Sequence, residues 1–131
     1  EQLNGKELSF NNYNDIFAGL EILSSLEKEP TTVIIKHANP CGVAQNKSAL
    51  TSFKNAYDSD PISAFGGVIA CNFRINKKIA QEISKNFLEV ILAKSFDNKA
   101  MKILKKKKNL RVIDISKFKI KNLLTTKSFN N

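Results

Sequence analysis

Lys36 and His37 are the residues with the most evident chemistry. They follow the β-branched run "TTVII" and precede "ANPCG", so a cation and the chain's single histidine meet where a buried strand should end. Like charges disfavour each other, so an ammonium beside an imidazole favours the neutral ring. A neutral imidazole can accept a proton from an attacking nucleophile, and the ammonium can stabilise an oxyanion as it forms. The plainer alternative is a histidine satisfied by backbone groups and a lysine whose head reaches solvent. Position at a strand end, before a turn expected at Pro40-Cys41-Gly42, brings the two readings near parity.

A metal site is the next question, because His37 and Cys41 lie close together. Zinc deaminases use His-x-Glu followed by Pro-Cys-x-x-Cys. Here Ala38 and Asn39 follow His37, and Gly42, Val43 and Ala44 follow Cys41, so the Glu and the second Cys are both missing. His37, Cys41 and Cys71 fall short of the usual tetrahedral set, and no metal is expected. Cys41 reads as a small residue in a tight turn. Gly66 and Gly67 in "DPISAFGGVIA" permit close backbone approach to a ligand, although the spacing is not that of a phosphate-binding loop. Glu89 sits inside the apolar run "FLEVILA". A carboxylate there either faces a solvated edge or points into a site, since buried carboxylates are normally paired.

The elements that must position these residues follow from hydrophobic periodicity. "NDIFAGLEILSSLEKE" reads as a helix capped by Asn14 or Asp15 and stopped by Pro30. "KSALTSFKNAYDSD" is a second helix closed by Pro61, "NKKIAQEISKNF" a third, and "DNKAMKILKKKKN" a fourth, capped by Asp97 and carrying Lys105 to Lys108. "TTVIIKH", "GGVIACNF", "LEVILA" and "LRVIDI" read as strands. Alternation of this kind predicts a mostly parallel sheet with helices on both faces, with ligands beyond the strands' carboxyl ends. Lys36, His37, Asn72 and Lys94 would all stand at such ends. One domain of 1–131 suits the length, with 117–131 poorly defined.

Composition narrows the class. Apolar residues are 42% and charged residues 25%, ordinary for a globular chain. No apolar run approaches the length of a membrane span, and no signal peptide opens the sequence, so a cytoplasmic setting is expected. Two cysteines without a framework pattern fit a reducing compartment. With Glu1 in place of an initiator Met, the sequence reads as a piece of something longer. The net charge of +9 gathers past residue 100. That leaves room for a basic α/β module binding RNA or polyphosphate through its Lys-rich C-terminal third. Lysines without interleaved aromatics lack the usual stacking platform, so a solvated face is favoured over nucleic-acid binding.

Four segments together resemble one family. "GKELSFNN", "KHANPCG", "DPISAFGGVIA" and "FLEVILA" are similar, in that order, to the transformylase module of the AICAR transformylase/IMP cyclohydrolase family, over about Gly5 to Arg111. The resemblance implies a three-layer α/β/α sandwich, cytidine-deaminase-like, with a mostly parallel mixed sheet. It implies formyl transfer from the co-substrate 10-formyltetrahydrofolate to the 5-amino group of AICAR, giving FAICAR in purine biosynthesis, without zinc. In that pattern His37 accepts the amine proton and Lys36 stabilises the transition state. Gly66 contacts the nucleotide and Glu89 binds AICAR through its ribose. Phe65, Asn39 and Asn12 stand in the matched segments as further substrate contacts. The family's homodimer is implied for the full-length enzyme. The sequence departs from the pattern at Lys94, where the family has proline. An upstream Arg-Tyr-Gly segment, the cyclohydrolase domain and a second deaminase-like subdomain are also missing, so turnover by this chain alone is not expected.

Overall fold

In the computed structural model, which describes residues 1–26 and 28–117, the first helix begins at Ser9 rather than at Asn14 or Asp15. A short strand, β1 (Gln2–Asn4), precedes helix α1 (Phe10–Ser24). Ser9 Oγ accepts from the Asn12 amide at 3.1 Å, and the Ser9 amide donates to Asn12 Oδ1 at 3.0 Å. This reciprocal box satisfies donors that would otherwise be orphaned at the helix start. Asp15 therefore lies inside the helix, with its carboxylate free of capping.

The chain continues through β2 (Thr31–Lys36), β3 (Asn39–Gln45), α2 (Ala49–Ser59), α3 (Pro61–Ala64) and β4 (Gly67–Cys71). Then come β5 (Arg74–Ile75), α4 (Lys77–Ser84), β6 (Leu88–Ala93), β7 (Ser95–Phe96), α5 (Asn98–Leu104) and β8 (Arg111–Asp114). All four expected strands and four expected helices are present, and Asp97 caps α5 as expected. Pro61 does more than end α2. It occupies the first turn of α3, where its missing N–H costs nothing. Lys105 to Lys108 lie beyond α5, in the turn that carries the chain back to β8, and not on the helix.

The main sheet has the order β1-β8-β6-β4-β2-β3. It is mixed, but not mostly parallel: β4, β6 and β8 run parallel, while β1–β8, β2–β3 and β2–β4 are antiparallel. The difference originates in β3. Pro40 and Gly42 suggest a turn, yet "NPCGVAQ" is an edge strand, and its register slips between Ile34↔Gly42 and Ile35↔Pro40. An edge strand tolerates proline at such a bulge. Cys41 is the extra residue there, so it lies in a strand and not in the tight turn. A separate two-stranded ribbon pairs β5 with β7.

Alternate strand residues feed two cores. Ile34, Ile69, Ile91 and Val112 pack with Phe53, Ile79, Ile83 and Leu104 of α2, α4 and α5. Val33, Ile35, Val68, Ala70, Val90 and Leu92 pack beneath Ile16, Leu20 and Leu23 of α1. This is the expected three-layer α/β/α arrangement, and its strands are apolar on both faces for that reason. Residues 118–131, which hold most of the segment expected to be poorly defined, lie outside the described residues. No described helix is long and apolar enough to cross a membrane.

Candidate functional site

The turn that presents Lys36 and His37 is unusual. β2 and β3 pair up to Lys36↔Asn39, leaving a two-residue loop of His37 and Ala38. Both carry positive φ, 55° and 62°. That is the twist a two-residue hairpin prefers, and Asn-Gly normally supplies it. For residues with a Cβ the left-handed conformation costs roughly 1–2 kcal/mol each. Two side chains hold the turn. The Ala38 amide donates to Asp15 Oδ1 of α1 at 2.7 Å, and Asn39 Nδ2 donates to the His37 carbonyl at 3.0 Å.

Because β2 runs against β4, its carboxyl end meets the amino ends of β4 and β6. Gly66, just before β4, and Glu89, second in β6, therefore flank Lys36. Asn72 and Lys94 lie at the opposite end of the sheet. Asn72 accepts from the Thr31 amide at 2.7 Å and donates to the Glu29 carbonyl at 2.9 Å, which secures the start of β2. The expected grouping of those two residues with the Lys-His pair is thus incorrect. It presumed that β2 runs parallel to its neighbours.

Lys36 Nζ donates to the Phe65 carbonyl and lies 6.0 Å from the centre of the Phe65 ring. Gly66 has φ +77°, and its amide donates to the Phe87 carbonyl at 2.8 Å. Phe65 and Phe87 meet at 4.9 Å between ring centres, and both are more than half exposed. Glu89 Oε2 accepts from Asn12 Nδ2 at 3.2 Å. Asn12 is 3% exposed and uses its other amide face for the helix cap, so it orients Glu89 more than it offers itself to a ligand.

These groups converge on a polar cavity of about 420 Å³, lined by Asn11, Asn12, Asn14, Asp15, Lys36, His37, Ala38, Gly66 and Glu89. Five of the seven expected site residues share it. Phe65 does not line it, but its carbonyl accepts from Lys36 Nζ. Asn39 lines a second cleft with Lys36, His37, Pro40, Cys41, Asp60 and Ser63. Sequence reasoning missed Asp15, which it read as a cap, as well as Asn11 and Asn14. The signal that could have found them is Ser9-x-x-Asn12: a capping box there moves the helix start upstream and sets Asn11 and Asp15 on one face, four apart.

A further cleft of about 350 Å³ shares Glu89 and is lined by Lys6, Lys107, Lys108 and Arg111. Two of these cations are tied to carbonyls, Lys107 Nζ to Asn86 at 3.0 Å and Arg111 Nε to Glu7 at 3.1 Å. The thiols are poor nucleophiles. Burial, and then the nearby Asp60 carboxylate, push Cys41 above its ordinary value, and complete burial pushes Cys71 up to about 12. Among the described residues, no three His, Cys, Asp or Glu side chains gather as a metal would require.

Known proteins give this geometry a context. The solved structure of RibD from Acinetobacter baumannii is similar over 79% of this chain and 36% of its own, with TM-score 0.65 at 15% identity. The dCMP deaminase of cyanophage S-TIM5 is similar over 81% of this chain and 99% of its own, with TM-score 0.59 at 9% identity. At such identities the likeness speaks for the deaminase-like fold alone. Sequence relatives are much nearer. The bifunctional purine biosynthesis protein PurH of Thermoanaerobacter sp. is 51% identical over 113 residues, 86% of this chain and 22% of the relative. That of Oceanobacillus iheyensis is 44% identical over 129 residues, 96% of this chain and 25% of the relative. The chain thus spans about a quarter or less of the curated relatives it matches. The AICARFT/IMPCHase bienzyme family profile matches residues 1–131 in full, and the chain belongs to that family.

Proposed function

We propose that this chain carries the Lys-His half of a formyl-transfer site, at which AICAR receives a formyl group from 10-formyltetrahydrofolate to give FAICAR in purine biosynthesis. One observation carries the proposal: Lys36, His37, Gly66 and Glu89, separated by up to 53 positions in sequence, line one polar cavity. Formyl transfer forms a bond from the AICAR amino nitrogen to the formyl carbon and breaks that carbon's bond to N10 of the folate: the amine loses a proton, the formyl oxygen carries negative charge in the intermediate, and tetrahydrofolate leaves with a proton on N10. His37, exposed at the turn tip, accepts the proton. Lys36, held over Phe65 by the Phe65 carbonyl, supplies a fixed positive charge for the oxygen. Glu89, oriented by Asn12, accepts from the ribose hydroxyls. The neighbouring cationic cleft, which shares Glu89, suits the nucleotide's phosphate. Most of the folate site belongs to segments outside this chain, so turnover needs those segments and, in the full-length enzyme, the dimer.

Calorimetric titration with AICAR tests the proposal. Saturable binding that His37→Ala or Glu89→Ala weakens about tenfold supports it, since a lost hydrogen bond costs roughly 0.5–1.5 kcal/mol and one to a charged group such as Glu89 somewhat more. Binding of equal strength in both variants would refute it. A short RNA titrated at two salt concentrations tests the rival basic-module reading, which predicts a steep salt dependence.

A further inference from the structure

We infer that Asp15 is the positioning residue of this site: its carboxylate pins the backbone of the His37–Ala38 turn and so sets where the Lys36 and His37 side chains point. Three observations carry the inference. The turn holds two consecutive non-glycine residues with positive φ, and Ala38 has no side-chain group that would favour that conformation. Its amide finds a charge-assisted partner 23 residues away, at 2.7 Å. That partner stands on a rigid support. Ile16 and Leu20 of α1 are buried, and Gly19 lets the helix approach so closely that an added Cβ would lie 3.3 Å from Ala70 Cβ and 3.4 Å from Ile35 Cγ1.

The link runs from helix packing to turn geometry to catalytic geometry. α1 is fixed on β2 and β4, Asp15 projects from it, and the turn closes against Asp15. Without the carboxylate, the two residues that prefer negative φ are free to relax. Lys36 and His37 on either side of the loop's start would then lose their common orientation. Asp15 also lines the cavity, so a direct contact with ligand is the competing explanation, and the two differ in what rescues the loss. Only the functional consequence rests on the formyl-transfer reading. The turn clamp stands on the geometry alone.

The test uses the whole chain and three variants: Asp15→Ala, Asp15→Asn, and Asp15→Ala combined with Ala38→Gly. Solvent exchange of the Ala38 amide, followed by NMR, reads the clamp without any ligand. Exchange should speed up about tenfold in Asp15→Ala and stay near the parent rate in Asp15→Asn, which keeps an acceptor. AICAR affinity should fall about tenfold in Asp15→Ala and recover mostly in the double variant, because glycine adopts positive φ without strain. Unchanged Ala38 exchange in Asp15→Ala would overturn the clamp. A double variant that binds AICAR no better than Asp15→Ala would overturn the positioning role in favour of direct contact. Failure of the parent chain to bind AICAR would count against the formyl-transfer reading, while the exchange rates still decide the clamp.

Discussion

Gly66 shows how a single residue constrains the site. Its φ of +77° is open to glycine but strained for other residues, and an added Cβ would sit 3.3 Å from Phe87 Cε2 and 3.8 Å from Lys36 Nζ. Gly66→Ala should therefore destabilise the chain by about 1–2 kcal/mol, measurable in urea, and shift the Phe65–Phe87 wall beside Lys36. Asn12→Ala leaves the Ser9 cap on the helix but removes its reciprocal bond, from the Ser9 amide to Asn12 Oδ1, together with the partner of Glu89, and a loss of about 1 kcal/mol is expected from the lost hydrogen bond. The thiols separate cleanly. Cys41 should react slowly with a thiol reagent at pH 8, and Cys71 only on unfolding, because burial holds both protonated. Rapid labelling of two thiols in the folded chain would contradict the burial of Cys71. At this scale Lys36, His37 and Glu89 stand out by type and position, whereas Gly66 stands out only through the family resemblance, because Gly-Gly before a strand is a weak signal by itself. Asp15 did not, because the same carboxylate makes an equally plausible helix cap.

At the scale of elements, the strands and helices were readable wherever apolar periodicity is strong, as in "LEVILA". β3 was hidden because Pro40 and Gly42 look like breakers. Proline is tolerated there by an edge bulge, and Gly42 is required by close packing: an added Cβ would lie 2.0 Å from the Ala56 carbonyl oxygen of α2. Gly42→Ala should thus push α2 off the edge strand and cost about 3 kcal/mol or more, seen as a lowered urea midpoint. Missing β3 had a further consequence. Without the hairpin, β2 reads as parallel to its neighbours, and the site is assigned to the wrong ends of β4 and β6. Sequence periodicity reports which residues are buried but not which way a buried strand runs, so Lys36 and His37 were grouped with Asn72 and Lys94, which lie at the other end of the sheet.

For the molecule as a whole, the two apolar cores on either face of the sheet provide most of the stability, and one titration should be visible against them. Cys71 is raised from an ordinary 9.0 to about 12 by complete burial, so the folded chain holds its proton more tightly than the unfolded chain. Stability from this group is fully present below pH 9. It should decline steadily as pH rises from there towards pH 12. Cys71→Ala should flatten that part of the urea-midpoint profile against pH, though lysine and tyrosine titration will add a background common to both. The net charge of +9 does not imply a nucleic-acid surface by itself. The Lys105 to Lys108 run lies in a turn where Lys107 bonds the Asn86 carbonyl, and Lys107 and Lys108 share a cleft with Lys6 and Arg111 beside Glu89.

The most direct measurement follows the imidazole resonances of His37, the chain's only histidine, while AICAR is added. A saturable shift that weakens in Glu89→Ala is the predicted result, since both groups border one cavity. AICAR binding that leaves the His37 resonances unmoved, or no saturable shift at all, would contradict the assignment of this turn as half of a formyl-transfer site.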